Sequence, residues 1–86
     1  METVVNEYIS QELVRDPELV PLANETSLLD SGILDSLSLL QLVVFLEERF
    51  GIIVGDADLL PENFASVNTI CAYLRAREPE KQAARG

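Results

Sequence analysis

The chain has no histidine and no tryptophan, a single cysteine, and only six basic residues against fifteen acidic ones. Each shortage excludes something. Without histidine, the commonest general base and metal ligand is missing. With Cys71 alone, no internal disulfide and no thiolate zinc site can be built. The scarcity of lysine and arginine leaves a formal net charge of −9, which argues against nucleic acid or an anionic membrane as partner and in favour of basic patches on other proteins. The longest unbroken apolar run, Leu42 to Leu46, is far short of the roughly 20 residues a membrane-spanning helix needs. The N-terminus has no basic segment followed by an apolar one, so no signal peptide is expected. These absences together point to a soluble cytoplasmic protein; its oligomeric state is not set by them, and a monomer is the default expectation.

What remains is an 86-residue chain that is 48% apolar, too apolar for a disordered segment and of a length suited to one domain. Few aromatics imply an aliphatic, helical core. Val4, Val5, Tyr8, Ile9 and Leu13 recur at helical spacing. They predict a first helix from about Thr3 to Val14, with Thr3 as N-cap and Asp16-Pro17 as its end. Residues 16 to 35 carry Pro17, Pro21, Asn24, Ser27, Ser31 and Gly32 and read as a long connection. Its Leu19, Val20, Leu22, Leu28, Leu29, Ile33 and Leu34 must still pack, so the loop is expected to lie across the helices, with a helical turn near Leu28-Leu29.

Asp35-Ser36-Leu37 then opens a second helix, from about Ser36 to Phe50, with Gly51 as C-cap. A serine there suits a helix N-terminus, since its oxygen can accept an otherwise unpaired backbone N–H. The same place suits a phosphate, because N–H groups and the positive end of the helix dipole converge on it. The helix has too much apolar circumference for a small bundle to bury. Leu39, Leu42, Val43, Leu46 and Phe50 form one stripe, assigned to the core. Leu37, Leu40 and Val44 form a second that continues toward Glu47 and Glu48. Either the long loop covers the second stripe, or it is an exposed strip edged by acids that marks a docking surface.

Further on, Ile52-Ile53-Val54 reads as a buried loop segment for want of a second strand. Asp56 and Asp58 lack the glycine and distal glutamate of a calcium loop and read as a solvated turn. Pro61 to Phe64 suits a short helical turn. Ser66 is placed to cap a last helix from about Val67 to Arg77, with Val67, Ile70, Cys71 and Leu74 inward, Arg75 and Arg77 complementing the dipole, and Pro79 as its stop. Cys71 belongs to that apolar face and reads as an inert, packed thiol. Domain limits are therefore a folded unit at 1–77 and a flexible C-terminal tail at 78–86.

Asp35-Ser36-Leu37, followed by Leu42, the acidic end Glu47-Glu48 and Phe50, resembles a phosphopantetheine-dependent carrier protein over about Leu28 to Leu74. The resemblance implies an all-α, four-helix bundle of three longer helices and one short one, with a long first loop. It implies that a phosphopantetheinyl transferase attaches 4′-phosphopantetheine from coenzyme A to Ser36, flanked by Asp35 and Leu37, and that acyl or aminoacyl groups ride on the arm as thioesters. Partner contacts would fall on Asp35, Leu37, Leu40, Gln41, Val44, Glu47 and Glu48. The chain itself would be no enzyme, and no metal is implied. Ser38 and Gln41 stand where carriers of fatty-acid synthesis often have acids, and Gly55 where proline is common. Leu59 to Ser66 resembles free-standing carriers of amino acids or unusual starter acids. The reading is thus an aminoacyl or specialised-metabolite carrier, charged by an ATP-dependent adenylating enzyme and serving downstream acyl-transfer or condensing enzymes. A fatty-acid or polyketide carrier is the nearest alternative. Two others compete: Ser36 as a plain helix cap in an unmodified helical interaction module, and an enzyme using carboxylates such as Asp30 and Asp35, for which no substrate cleft is evident.

Overall fold

Val5, Ile9 and Leu13 fall on one helical face, and all three are buried. In the computed structural model, which describes residues 1–85 and side chains through Arg77, they belong to α1 (Glu2–Tyr8) and to the single π-helical stretch Ile9–Leu13 that continues it. The helix starts ahead of Thr3, so Thr3 is not its cap: the Met1 carbonyl accepts the Val5 N–H at 3.1 Å, and no side chain caps that end. The wider final turn closes through the Val14 N–H on the Ile9 carbonyl at 2.9 Å, and Val14 then turns extended. Asp16 caps a 3₁₀ turn, Pro17–Leu19, by accepting the Glu18 N–H at 2.9 Å.

From there to Ser36 the chain runs as irregular turns. It is tied across the helices by polar bonds: Asn6 Nδ2 donates to the Leu22 carbonyl at 2.7 Å, the Leu28 N–H to Ala65 at 2.7 Å, and the Asn68 N–H to Asn24 at 3.0 Å. Leu22, Leu28, Ile33 and Leu34 are buried, whereas Val20 and Leu29 stay exposed. The expected turn at Leu28-Leu29 is present, closed by Ser31 N–H on Ser27 and Gly32 N–H on Leu29. Gly32 has φ +80°, a left-handed conformation that glycine adopts without a Cβ penalty.

α2 (Ser36–Phe50) buries Leu42, Val43 and Leu46. It ends on Gly51 at φ +66°, whose N–H reaches the Glu47 carbonyl at 3.0 Å, the left-handed C-cap the sequence indicates. α3 (Val67–Arg85) begins at a reciprocal cap: Thr69 N–H donates to Ser66 Oγ at 3.2 Å and Ser66 N–H to Thr69 Oγ1 at 3.0 Å. Val67, Ile70, Cys71 and Leu74 are all buried, and burial pushes the Cys71 thiol pKa up. The helix runs to Arg85, past the stop expected at Pro79. A proline removes one donor from a helix and strains it without having to end it. Arg75 and Arg77 are therefore not in a last turn. Arg75 pairs with Glu2, joining α3 to the start of α1. The tail expected at 78–86 otherwise lies outside the residues whose side chains are described.

Between α2 and α3 the chain makes two 3₁₀ turns, Asp56–Asp58 and Pro61–Asn63, and the described residues contain three longer helices and no strand. Two expectations for this connection fail. Ile53 is 76% exposed while Ile52 and Val54 are buried, because an extended backbone sends alternate side chains to opposite sides. Asp58 is not a free surface acid. Its carboxylate accepts the Tyr73 hydroxyl at 2.8 Å and Arg77 Nη1 at 2.7 Å, while Arg77 Nη2 donates to the Ile53 carbonyl at 2.9 Å. That cluster fastens the connection to α3.

Candidate functional site

The first turn of α2 is organised by Asp35, not by Ser36. Asp35 is the N-cap, and its Oδ1 accepts the Ser38 N–H at 2.8 Å. The Ser38 N–H, then the Ser38 hydroxyl, the Leu37 N–H and the charge of Arg15 hold the Asp35 carboxyl below its ordinary pKa. Ser36 occupies the first helical position. Its side chain is exposed, and its hydroxyl makes no hydrogen bond among those of the described residues. The capping role that the sequence allows Ser36 is thus taken by its neighbour, whose reach to the third residue on matches the usual cap geometry. What is left at position 36 is an accessible hydroxyl at the positive end of a 15-residue helix.

Along α2 the two apolar stripes separate. Leu42 is fully buried, whereas Leu37, Leu40 and Val44 are 60%, 56% and 52% exposed. The long loop does not cover them. Gln41 and Glu48 are exposed beside this strip. Glu47 is half-buried, and its Oε2 accepts the Val54 N–H at 2.9 Å, so one of the acids expected on the strip also anchors the connection after α2. On the other flank of α2, Phe45 stacks on Tyr8 with ring centroids 4.0 Å apart.

Arg15 is a neighbour of the site that sequence reasoning missed. It lies twenty positions before Asp35 and lines, with Leu13, Leu19, Gly32, Ile33 and Asp35, a cleft of about 200 Å³ beside the start of α2. Its only sequence signal is rarity: a cation in a strongly acidic chain. Among the described residues no cluster of three or more acids, cysteines or histidines is arranged to hold a metal, and no helix is long and apolar enough to cross a membrane.

Comparison with known families decides the assignment. A family model described as the phosphopantetheine attachment site matches residues 4–74, a span that runs from α1 through all of α2 to the buried face of α3. The chain belongs to the phosphopantetheine attachment-site family. It is therefore a carrier protein, and the cofactor of the family is covalently attached 4′-phosphopantetheine. A solved structure described as "Crystal structure of FAD-dependent dehydrogenase" contains a similar chain at a TM-score of 0.71 and 29% identity, with 81% of this chain and 97% of that one covered. No curated protein matches. The exposed hydroxyl of Ser36 at a helix N-terminus fits the cofactor's phosphate end, since the local dipole favours an anion.

Proposed function

We propose that Ser36 is the attachment residue, and that this carrier holds an acyl or aminoacyl group as a thioester without catalysing any step itself. The observation that carries this is the division of labour at the helix start: Asp35 caps, and Ser36 is left exposed at the first helical position. In the loading step Ser36 Oγ attacks the β-phosphorus of coenzyme A. A new phosphodiester forms, and adenosine 3′,5′-bisphosphate leaves with the electron pair of the broken anhydride bond. The hydroxyl proton passes to a base on the transferase, while the Asp35 carboxylate stays engaged with the Ser38 N–H. When bound, the cofactor supplies a terminal thiol, so the chain needs no nucleophile of its own.

The exposed strip of Leu37, Leu40 and Val44, with Asp35, Gln41, Glu47 and Glu48 around it, is the docking face in this reading. Its acids steer it toward basic surfaces on the transferase, the loading enzyme and downstream acyl-transfer or condensing enzymes, with weak and fast exchange between them. Residues 1–77 form the carrier unit, with the last turns of α3 running on past it to Arg85, the Pro61–Asn63 turn stands for the family's short helix, and the protein works as a free-standing monomer in the cytoplasm. The resemblance of Leu59 to Ser66 to carriers of amino acids and unusual starter acids supports loading by an ATP-dependent adenylating enzyme. The likeness to a chain in an FAD-dependent dehydrogenase structure adds an enzyme of that kind to the partners to be tried. Intact mass after incubation with coenzyme A and a broad-specificity transferase tests the core of this: one phosphopantetheine is gained, and none by Ser36→Ala. No gain with several competent transferases favours an unmodified interaction module.

A further inference from the structure

One peptide unit in the connection after α2 is held at both ends by ionised side chains from two helices. The Val54 N–H donates to Glu47 Oε2 of α2 at 2.9 Å, and the Ile53 carbonyl of the same unit accepts from Arg77 Nη2 of α3 at 2.9 Å. Arg77 is itself fixed, because its Nη1 donates to Asp58 Oδ2 at 2.7 Å and to the Tyr73 hydroxyl at 2.8 Å. Ile52 and Val54, on either side of Ile53, are buried in the core. Hydrogen bonds to ionised groups are stronger than neutral ones, so the clamp and the buried neighbours together leave this segment little freedom. What they display is Ile53. At 76% exposure it is the barest large apolar side chain among the described residues, and the fold gains almost nothing from it there. Leu40, Val44 and Glu47 follow one another along one side of α2. The carboxylate that holds Val54 therefore sets the Ile53–Val54 peptide beside the glutamate end of the bare strip.

We propose that Glu47 and Arg77 are positioning residues for docking: by clamping the Ile53–Val54 peptide between α2 and α3, they hold Ile53 outward as a rigid apolar contact for the transferase that loads Ser36. The inference deepens the proposed function and rests on Ser36 being the tether. Charge and distance select the occupant. Glu48 and Asp56, before and after Ile53 in the chain, are both exposed, so the complementary surface is an apolar hollow rimmed by lysine or arginine. Ser36 and Glu47 lie on one helix, 47 − 36 = 11 residues apart, which is about 16 Å at ~1.5 Å per residue. An interface of about 800 Å² per partner spans that distance, so a transferase seated over the serine reaches Ile53 in the same contact. Rigidity matters because ordering a loop on binding is a cost of association, and a weak, fast contact has little margin to meet it. Glu47 thus acts through the backbone it holds, whereas the exposed Glu48 acts through its charge.

The test is steady-state loading by a broad-specificity phosphopantetheinyl transferase, followed by intact mass, with a melting midpoint taken for every variant. Ile53→Ala, at an exposed position, raises the KM for the carrier about fivefold or more, while kcat and the midpoint hold. Glu47→Ala raises KM likewise and speeds hydrogen exchange of the Val54 amide. Glu47→Gln loses the charge but keeps an oxygen that can accept the Val54 N–H, so it recovers most of the KM and the exchange protection that Glu47→Ala loses. Arg77 also holds Asp58 and Tyr73, which makes Glu47 the cleaner probe. The double variant Ile53→Ala, Glu47→Ala is no worse than Ile53→Ala alone, since both act through one contact. An unchanged KM in Ile53→Ala overturns the contact and leaves the tether standing. A loss in Glu47→Gln equal to that in Glu47→Ala, or losses that multiply in the double variant, shows Glu47 working as a charge and overturns the clamp. Absence of any mass gain in the parent overturns the tether itself, and this inference with it.

Discussion

Leu40 and Leu42 are the same residue type, two positions apart on one helix, and the structure gives them opposite jobs. Leu42 is fully buried and Leu40 is 56% exposed. Truncating Leu42 to alanine removes buried methyl groups from a core that can only partly relax, which costs about 2–5 kcal/mol. An 86-residue domain has a total stability of about 4–13 kcal/mol at ~0.05–0.15 kcal/mol per residue. The loss is thus a large share of the whole. At about 4–8 °C per kcal/mol for a domain of this size, Leu42→Ala lowers the melting midpoint by at least about 8 °C. Leu40→Ala loses only contacts of a half-exposed side chain and gains a better helix former, so its effect stays within about 0.5 kcal/mol, or under about 4 °C. Circular dichroism melts of the two variants read this directly. The same proteins go into loading and transfer assays, where Leu40→Ala loses rate and its midpoint holds. Equal falls in midpoint for both would place Leu40 in the core and refute the docking face.

The remaining expectations concern single groups. Because the folded Asp35 pKa lies below its ordinary value, its carboxylate adds stability above the unfolded pKa, and that stability is lost as the pH falls through the folded one. Asp35→Asn keeps a capping side chain but removes the charge, so urea unfolding followed from pH 5 downward shows a shallower acid loss than the parent; identical pH profiles would contradict the capping role. Cys71, buried and with its thiol pKa raised, resists iodoacetamide in the folded protein and reacts readily in urea; fast native alkylation, followed by mass, would show that the core there opens.

Much of the fold is legible in the sequence where the signal is local. The inward face of α3, the Ser66 cap, the Gly51 C-cap and the division of α2 into two apolar stripes follow from spacing and backbone chemistry alone. The structure departs from the sequence pattern in two ways. Thr3, Ile53 and Pro79 concern boundaries and alternation, where one residue of register changes which side a side chain faces. Asp58, Arg75, Arg77 and Glu47 look like surface charges along the chain, yet the first three find partners from distant parts of it and Glu47 accepts the Val54 N–H of the connection that follows α2.

By itself the sequence determined that the chain is helical, acidic, without histidine, and opens its most apolar helix at Asp35-Ser36-Leu37. These are properties of composition and of neighbours along the chain, and short-range hydrogen bonding and hydrophobic periodicity enforce them in any context. Only the tertiary structure decided that Asp35 takes the cap and Ser36 stays exposed, that the long connection leaves Leu37, Leu40 and Val44 bare, and that Arg15 stands beside Asp35. Exposure and charge pairing depend on which segments share space, and that is settled when distant apolar residues such as Leu28, Leu42 and Ile70 close on one core.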